Sequence, residues 1–262
     1  MSDIVGVVGA GRMGLPIIGH LVRAGFQTLA GDLDARKRAE VEKRGATWQP
    51  ELSGNCDVLL VCVGFDREVC ELLEKGLRTR PGGVIAILST VHPKTVQDLA
   101  AKAQGMHVID STVCRGGEAA DKGTLLSFVG GPPEVVDRIT PVLKAYSADV
   151  VHTGGVGSAQ VAKAVNNLIL WACLVADHEG LALAKRYGVD VEKLRLALLK
   201  SSATNDALEK WGRQTMAWAE DDMAIVAAMA AEHGLALPQT EVTREICRSL
   251  KPRRYKLDDY GV

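Results

Sequence analysis

Residues 7–16 read VVGAGRMGLP. Gly9, Gly11 and Gly14 form G-x-G-x-x-G directly after a short apolar run, DIVGVVG (3–9), and at the head of a stretch with helical periodicity, RMGLPIIGHLVRAG (12–25). In that context the first glycine permits a tight turn, the second lets the backbone approach a pyrophosphate, and the third packs helix against strand. The helix N-terminus adds unpaired N–H groups and partial positive charge. Gly9, Gly11, Arg12, Met13 and Gly14 are therefore read as the phosphate-binding turn of a nicotinamide dinucleotide. Asp32 follows 18 residues after Gly14 at the end of QTLAG (27–31). A carboxylate there accepts from a ribose 2′-hydroxyl and repels a 2′-phosphate, and Asp34 adds to that repulsion, so NAD is expected over NADP. Arg36, Lys37 and Arg38 weaken that inference if one of them reaches back to a phosphate; the other reading puts them on the solvated face of the next helix.

Outward from this turn, DVLLVCVG (57–64), GVIAIL (83–88), HVID (107–110), LLSFVGG (125–131) and ADVVHTG (148–154) read as further strands, with helices such as PPEVVDRITPVLKAY (132–146) between them. Buried Val/Ile/Leu runs alternating with helices predict a mainly parallel sheet covered on both faces, a doubly wound α/β Rossmann-type domain over residues 1–155. Beyond Gly157 only helical periodicity appears, in segments near 158–187, 190–200, 204–219, 221–234 and 239–250. Residues 156–262 are thus expected to form an all-helical domain, with the polar tail KPRRYKLDDYGV (251–262) held loosely or laid over a partner subunit.

The chain carries 31 basic and 32 acidic residues and is 47% hydrophobic over 262 residues. That balance gives no basic field for nucleic acid or an anionic membrane surface, and points to a small-molecule partner. Six cysteines without C-x-x-C spacing favour a reducing compartment. No secretory leader and no uninterrupted apolar run of about 18 residues is apparent, so a cytoplasmic protein is expected.

The stretch SAQVAKAVNNLILWACLV (158–175) places Lys163, Asn166 and Asn167 inside an apolar helix. Positions i and i+4 share a face, so Lys163 and Asn167 project together. A lysine held there loses solvation, which suits a general acid or base working near neutral pH, and the amide can position an oxygen. Alternatively, Lys163 snorkels to solvent and the asparagines satisfy backbone. Asp177, His178 and Glu179 fan around the helix and do not converge as metal ligands, and no metal site is expected. Trp211 and Trp218 read as a packing stripe.

Three motifs in order carry a resemblance. GAGRMGLPIIGHLVRAG (9–25), DSTVCRGGEAADKGTLLSFVGG (110–131) and GGVGSAQVAKAVNN (154–167) resemble the cofactor, substrate and catalytic segments of the β-hydroxyacid dehydrogenases, with EGLALAKRYGVD (179–190) a weaker fourth. The resemblance covers about residues 4–200 and implies the 6-phosphogluconate dehydrogenase-like fold. It also implies hydride transfer between a nicotinamide cofactor and a short 3-hydroxy acid. It gives Lys163 the acid/base role, Asn167 a substrate contact, and Thr90 of STVHP (89–93) a place near the nicotinamide. Cys114, Arg115 and Gly116 stand where the family has Ser-Gly-Gly to hold a substrate carboxylate. A thiol donates more weakly, while Arg115 is a candidate for a second carboxylate, an exposed loop residue, or a partner of Glu118 or Asp121. Asp221 replaces a family lysine near the cofactor. A homodimer or higher homo-oligomer is expected. Other readings are a relative acting on an imine or a sugar acid, and a non-catalytic NAD-binding module.

Overall fold

The computed structural model describes residues 3–260 and divides into two compact units, Met1–Lys163 and Ala164–Val262. The first unit runs β1 (Ile4–Val8), α1 (Gly14–Arg23), β2 (Gln27–Gly31), α2 (Arg38–Lys43), β3 (Thr47–Trp48), β4 (Val58–Val61), α3 (Asp66–Glu74) and β5 (Val84–Ile87). It continues through α4 (Pro93–Lys102), β6 (His107–Cys114), α5 (Gly116–Lys122), β7 (Leu125–Gly130), α6 (Pro133–Lys144) and β8 (Ser147–Gly154) into the start of α7 (Ser158–Arg186).

Eight strands form one sheet in the order β3-β2-β1-β4-β5-β6-β7-β8. All pairings are parallel except β6 with β7. The chain lays β2 and β3 to one side of β1 and β4 onward to the other, so the topological switch falls between β1 and β4, where a doubly wound sheet opens a crevice at its carboxyl edge. Every residue of β4 and β5 is buried. Val58, Leu60, Val84 and Ala86 enter the core on one face, and Leu59, Val61, Ile85 and Ile87 the core on the other. This explains why both strands are apolar at every position and not alternating.

Two features of this unit differ from the sequence reading. β6 does not stop at Asp110 but continues to Cys114, and it pairs with β7 in the one antiparallel register of the mainly parallel sheet. The two-residue β3 is too short to leave a pattern. The first compact unit also takes in the opening turns of α7, as far as Lys163. The physical reason is that β6 grips the first turns of α7: Asp110 accepts from the amides of Gly157 and Gln160, and the Thr112 hydroxyl donates to the Ala159 carbonyl.

The second unit contains the rest of α7, then α8 (Val191–Leu198), α9 (Asp206–Glu209), α10 (Ala219–Glu232) and α11 (Pro238–Leu250). Side chains start α8 and α9: Asp190 accepts from the Lys193 amide and Asn205 from the Leu208 amide. A continuous helix over 204–219 is not found. It ends at Glu209, and Gly212 (φ 86°) and Met216 (φ 47°) turn the chain through left-handed conformations. Trp211 and Trp218 consequently do not form a stripe; Trp211 packs at a tilt against His178 and Trp218 is half-exposed.

The tail is not loose. The Tyr255 amide donates to His178 Nε2, its hydroxyl donates to Gln214, and Tyr260 donates to Glu179. Leu257 is buried between them. α7 is also long and apolar enough to cross a membrane by length and composition, yet Gln160, Asn167, Trp171 and His178 on one of its faces are buried and hydrogen-bonded within the protein.

Candidate active site

The carboxyl ends of β1, β2, β4, β5 and β6 share one edge of the first unit. At β1, Gly9 has φ 97°, and a Cβ there would overlap the Cys62 carbonyl; one at Gly14 would overlap the carbonyl of Gly9. A Cβ at Gly11 meets no atom within 4 Å. The first and third glycines are thus fixed by contacts within the fold, while the second leaves open the approach a pyrophosphate needs. Met13 provides no side-chain cap to α1, and no acidic residue stands in its first turn. Its leading N–H groups therefore suit an anion, and the residues present fit a dinucleotide.

At β2, Asp32 is fixed by two amides: Ala10 donates to Oδ2 at 2.7 Å and Asp34 to Oδ1 at 2.8 Å. Each oxygen keeps a further lone pair for a ribose hydroxyl. Arg36 folds back on Asp34 through Nε (2.8 Å) and Nη2 (2.9 Å). This pairing holds the Asp34 carboxyl below the usual carboxylate range. Arg12, between the glycines, leaves the turn, lies over Gly117 and pairs with Asp121 at 3.3 Å.

Beyond β5, the segment 88–92 is fastened along its length. The Leu88 amide donates to the Val61 carbonyl, Ser89 Oγ donates to the Val63 carbonyl and accepts from its amide, and Asp66 accepts from the His92 amide and the Thr95 hydroxyl. Gln160 closes the set: its Nε2 donates to the Ser89 carbonyl at 2.8 Å and its Oε1 accepts from the Val91 amide at 3.0 Å. Thr90 lies at the centre of this segment, half-buried.

Lys163 follows Gln160 by one turn. Its ammonium is half-exposed and donates to the Val113 carbonyl at 2.8 Å, with Cys114 Sγ 3.9 Å away. The structure therefore brings Lys163 to the carboxyl end of β6, where a main-chain carbonyl holds it. Cys114 is buried at the same place. Asn167, one turn further along α7, is buried, and its Oδ1 accepts from Asn166. Asp110, on β6, is fully buried. Burial pushes its carboxyl up, opposed by the amides of Gly157 and Gln160.

Arg115 is turned elsewhere. Its Nη2 lies 2.6 Å from Asp149 on β8, and Nη1 donates to the Thr124 carbonyl. The guanidinium is thus engaged across β7, away from Lys163. Arg115 and Gly116 are both left-handed, with φ 83° and 76°. Asp221, in place of the family lysine, is exposed on α10, while its neighbour Asp222 is buried and accepts from the Trp171 indole at 2.9 Å. Among the described residues no cluster of His, Cys, Asp or Glu could hold a metal ion.

Sequence reasoning missed Gln160, Asp110, Ser89 and Asp222. Asp110 and Gln160 stand inside two of the quoted motifs, but their partners lie 47 to 71 residues away, a separation that no local pattern reports.

Comparison with known proteins settles the family. The model for the NAD-binding domain of 6-phosphogluconate dehydrogenase matches residues 4–155, and that for the NAD-binding region of NADP-dependent 3-hydroxyisobutyrate dehydrogenase matches 157–260. The chain belongs to the β-hydroxyacid dehydrogenase family. It is 32% identical to the 3-hydroxyisobutyrate dehydrogenase of Pseudomonas aeruginosa over 217 residues, 79% of this chain and 72% of that one. It is 28% identical to a probable mitochondrial 3-hydroxyisobutyrate dehydrogenase-like protein of Arabidopsis thaliana, covering 92% and 86%. The structure of a Mycobacterium tuberculosis 3-hydroxyisobutyrate dehydrogenase with L-serine superposes with a TM-score of 0.86 at 22% identity, covering 97% and 95%. As a β-hydroxyacid dehydrogenase family member the chain is an NAD(P)-dependent oxidoreductase acting on CH–OH groups, and its first unit is the dinucleotide-binding domain.

Proposed function

We propose that this protein oxidises the hydroxyl of a short 3-hydroxy acid with NAD, or reduces the matching semialdehyde with NADH, using Lys163 as general acid/base. The observation that carries this reading is the Lys163 ammonium standing beside Val113 and Cys114 at the carboxyl end of β6, on the edge that also carries the glycine turn, Asp32 and Thr90.

When bound, the nicotinamide supplies the acceptor or donor of the hydride. The chain does the rest. The amides of Gly11, Arg12, Met13 and Gly14 hold the pyrophosphate and Asp32 the adenosine ribose. Two carboxylates at the end of β2, with Arg36 already engaged by one of them, support NAD over NADP, because a 2′-phosphate meets repulsion and no free guanidinium. Lys163 Nζ, as the neutral amine, takes the hydroxyl proton during oxidation and, as the ammonium, returns it during reduction, and the Val113 carbonyl fixes that nitrogen in place. Asn167 orients the reacting oxygen. The turn from Cys114 to Gly116 receives the substrate carboxylate. Arg115 has no part in this reading, since its charge is answered by Asp149. Six free cysteines support a reducing compartment. We further propose that two copies associate.

NADH formation over a panel of 3-hydroxy mono- and dicarboxylic acids, with NAD and NADP in parallel, tests the reading. Lys163→Ala is expected to lower kcat by about 10²- to 10⁴-fold, the usual worth of a positioned acid/base, while NADH still binds. Turnover by the variant at the wild-type rate overturns the role of Lys163, and no turnover of the panel by the wild type overturns the substrate class.

A further inference from the structure

We infer that Gln160 is a positioning residue for the nicotinamide half of the cofactor, acting through the Ser89–Val91 segment. The inference rests on the dinucleotide reading above. Asp32 at β2 marks the adenosine end and the glycine turn at β1 the phosphates. A dinucleotide that spans the switch point must then lay its other half over β4 and β5. Lys163 at β6 marks the reacting end. Thr90, three residues past the end of β5, belongs to the segment between the glycine turn and the lysine along this edge.

The backbone flanking Thr90 is bridged by one side chain. The Gln160 amide accepts from Val91 N–H and donates to the Ser89 carbonyl, as a neighbouring strand would, and Gln160 is 1% exposed. Its own amide is held by Asp110, and Gly157 donates to the other oxygen of the same carboxylate. Asp110 and Thr112, two apart on one face of β6, thereby set the height and rotation of α7. Gln160, Lys163 and Asn167 are spaced i, i+3 and i+7 on that helix. One buried clamp therefore fixes Thr90 and Lys163 relative to each other. Among the described residues no partner takes the Thr90 hydroxyl, so holding its flanks leaves that group available.

Gln160→Met keeps the side-chain volume and removes both bonds. Titrations with NADH and with ADP-ribose, which lacks the nicotinamide, separate the two halves without requiring turnover. The expected result is NADH bound about tenfold more weakly, the scale of one buried hydrogen bond, with ADP-ribose within about twofold of wild type. ADP-ribose affinity doubles as the control for folding. In turnover, kcat should fall while KM for the hydroxy acid moves little. Thr90→Ala alone should also weaken NADH, and the double variant should be no worse than the larger single change. Parallel weakening of both ligands, no change in either, or additive losses overturns the role of Gln160. A wild type that binds both ligands yet turns over no panel member defeats the substrate reading alone.

Discussion

Arg115 adopts φ 83°, a left-handed conformation that costs a residue with a Cβ about 1 kcal/mol relative to glycine. The glycine expected there from the family resemblance is what this backbone wants, and the arginine is held by Asp149 and Thr124. That ion pair is roughly half-exposed on both sides, so it offsets at most about 1 kcal/mol. Arg115→Gly should therefore leave the urea midpoint unchanged or slightly raised. It should also shift KM for mono- and dicarboxylates in parallel, because the guanidinium points to β8. A rise confined to dicarboxylates would return Arg115 to the substrate. At this scale the sequence was most legible where function is local. Gly9, Gly11, Gly14 and Asp32 lie along β1, the turn into α1 and the end of β2, and their spacing alone marks them as cofactor candidates. Asp110 and Gln160 act through the fold, and a buried Asp or Gln looks like any polar residue until its partners are known.

At the scale of elements, apolar strands such as VLLV and VIAI were readable because burial on both faces leaves no polar alternation to confuse them. The 204–219 stretch misled because its composition suits a helix while Gly212 and Met216 break it in three dimensions. The tail misled for a related reason: its polar letters hide the fastening of Tyr255 and Tyr260 to α7. His178 is the centre of that fastening. It is buried, donates from Nδ1 to the Leu174 carbonyl and accepts at Nε2 from the Tyr255 amide. Trp211 and Tyr255 pack on its ring. Burial lowers its pKa below the ordinary 6.5, since a protonated ring would face the Tyr255 N–H with a second donor. The unfolded chain then binds more protons below pH 6.5 than the folded one. The associated stability is complete above that pH and is lost as the pH falls through it, by up to about 1.4 kcal/mol per pH unit. The buried carboxyl of Asp177, raised by burial, acts with the opposite sign and in the more acidic range. Urea unfolding from pH 7 to 5.5 should show this loss in the wild type and a flatter profile in His178→Gln. Equal slopes would remove His178 as the cause.

For the whole molecule, α7 has two unlike faces. Gln160, Ala164, Asn167, Trp171, Leu174 and His178 are buried at spacings of three and four. The opposite face carries Val165, Ile169, Ala176, Gly180 and Leu183, all exposed, with Val165, Ile169 and Leu183 at 51%, 54% and 60%. Such a face, with Glu179 at its edge as its one charge over five turns, is atypical of a solvated helix. The association of two copies proposed above would suit this face, because a two-fold arrangement lets an apolar stripe with small residues at its centre pack against itself. The proposal then puts the contact on the exposed face of α7 beyond Lys163. Ile169→Glu places a charge in the middle of that stripe and leaves the buried face untouched. If two copies meet there, sedimentation equilibrium should give a dimer or larger species for the wild type. The variant's dissociation constant should rise about thirtyfold or more, the effect of losing about 2 kcal/mol at the centre of an interface. Its urea midpoint should also depend less on protein concentration than that of the wild type. A wild type that sediments as a monomer at tens of micromolar, or a variant that associates as tightly as its parent, would move self-association off this helix and leave the exposed stripe to another explanation.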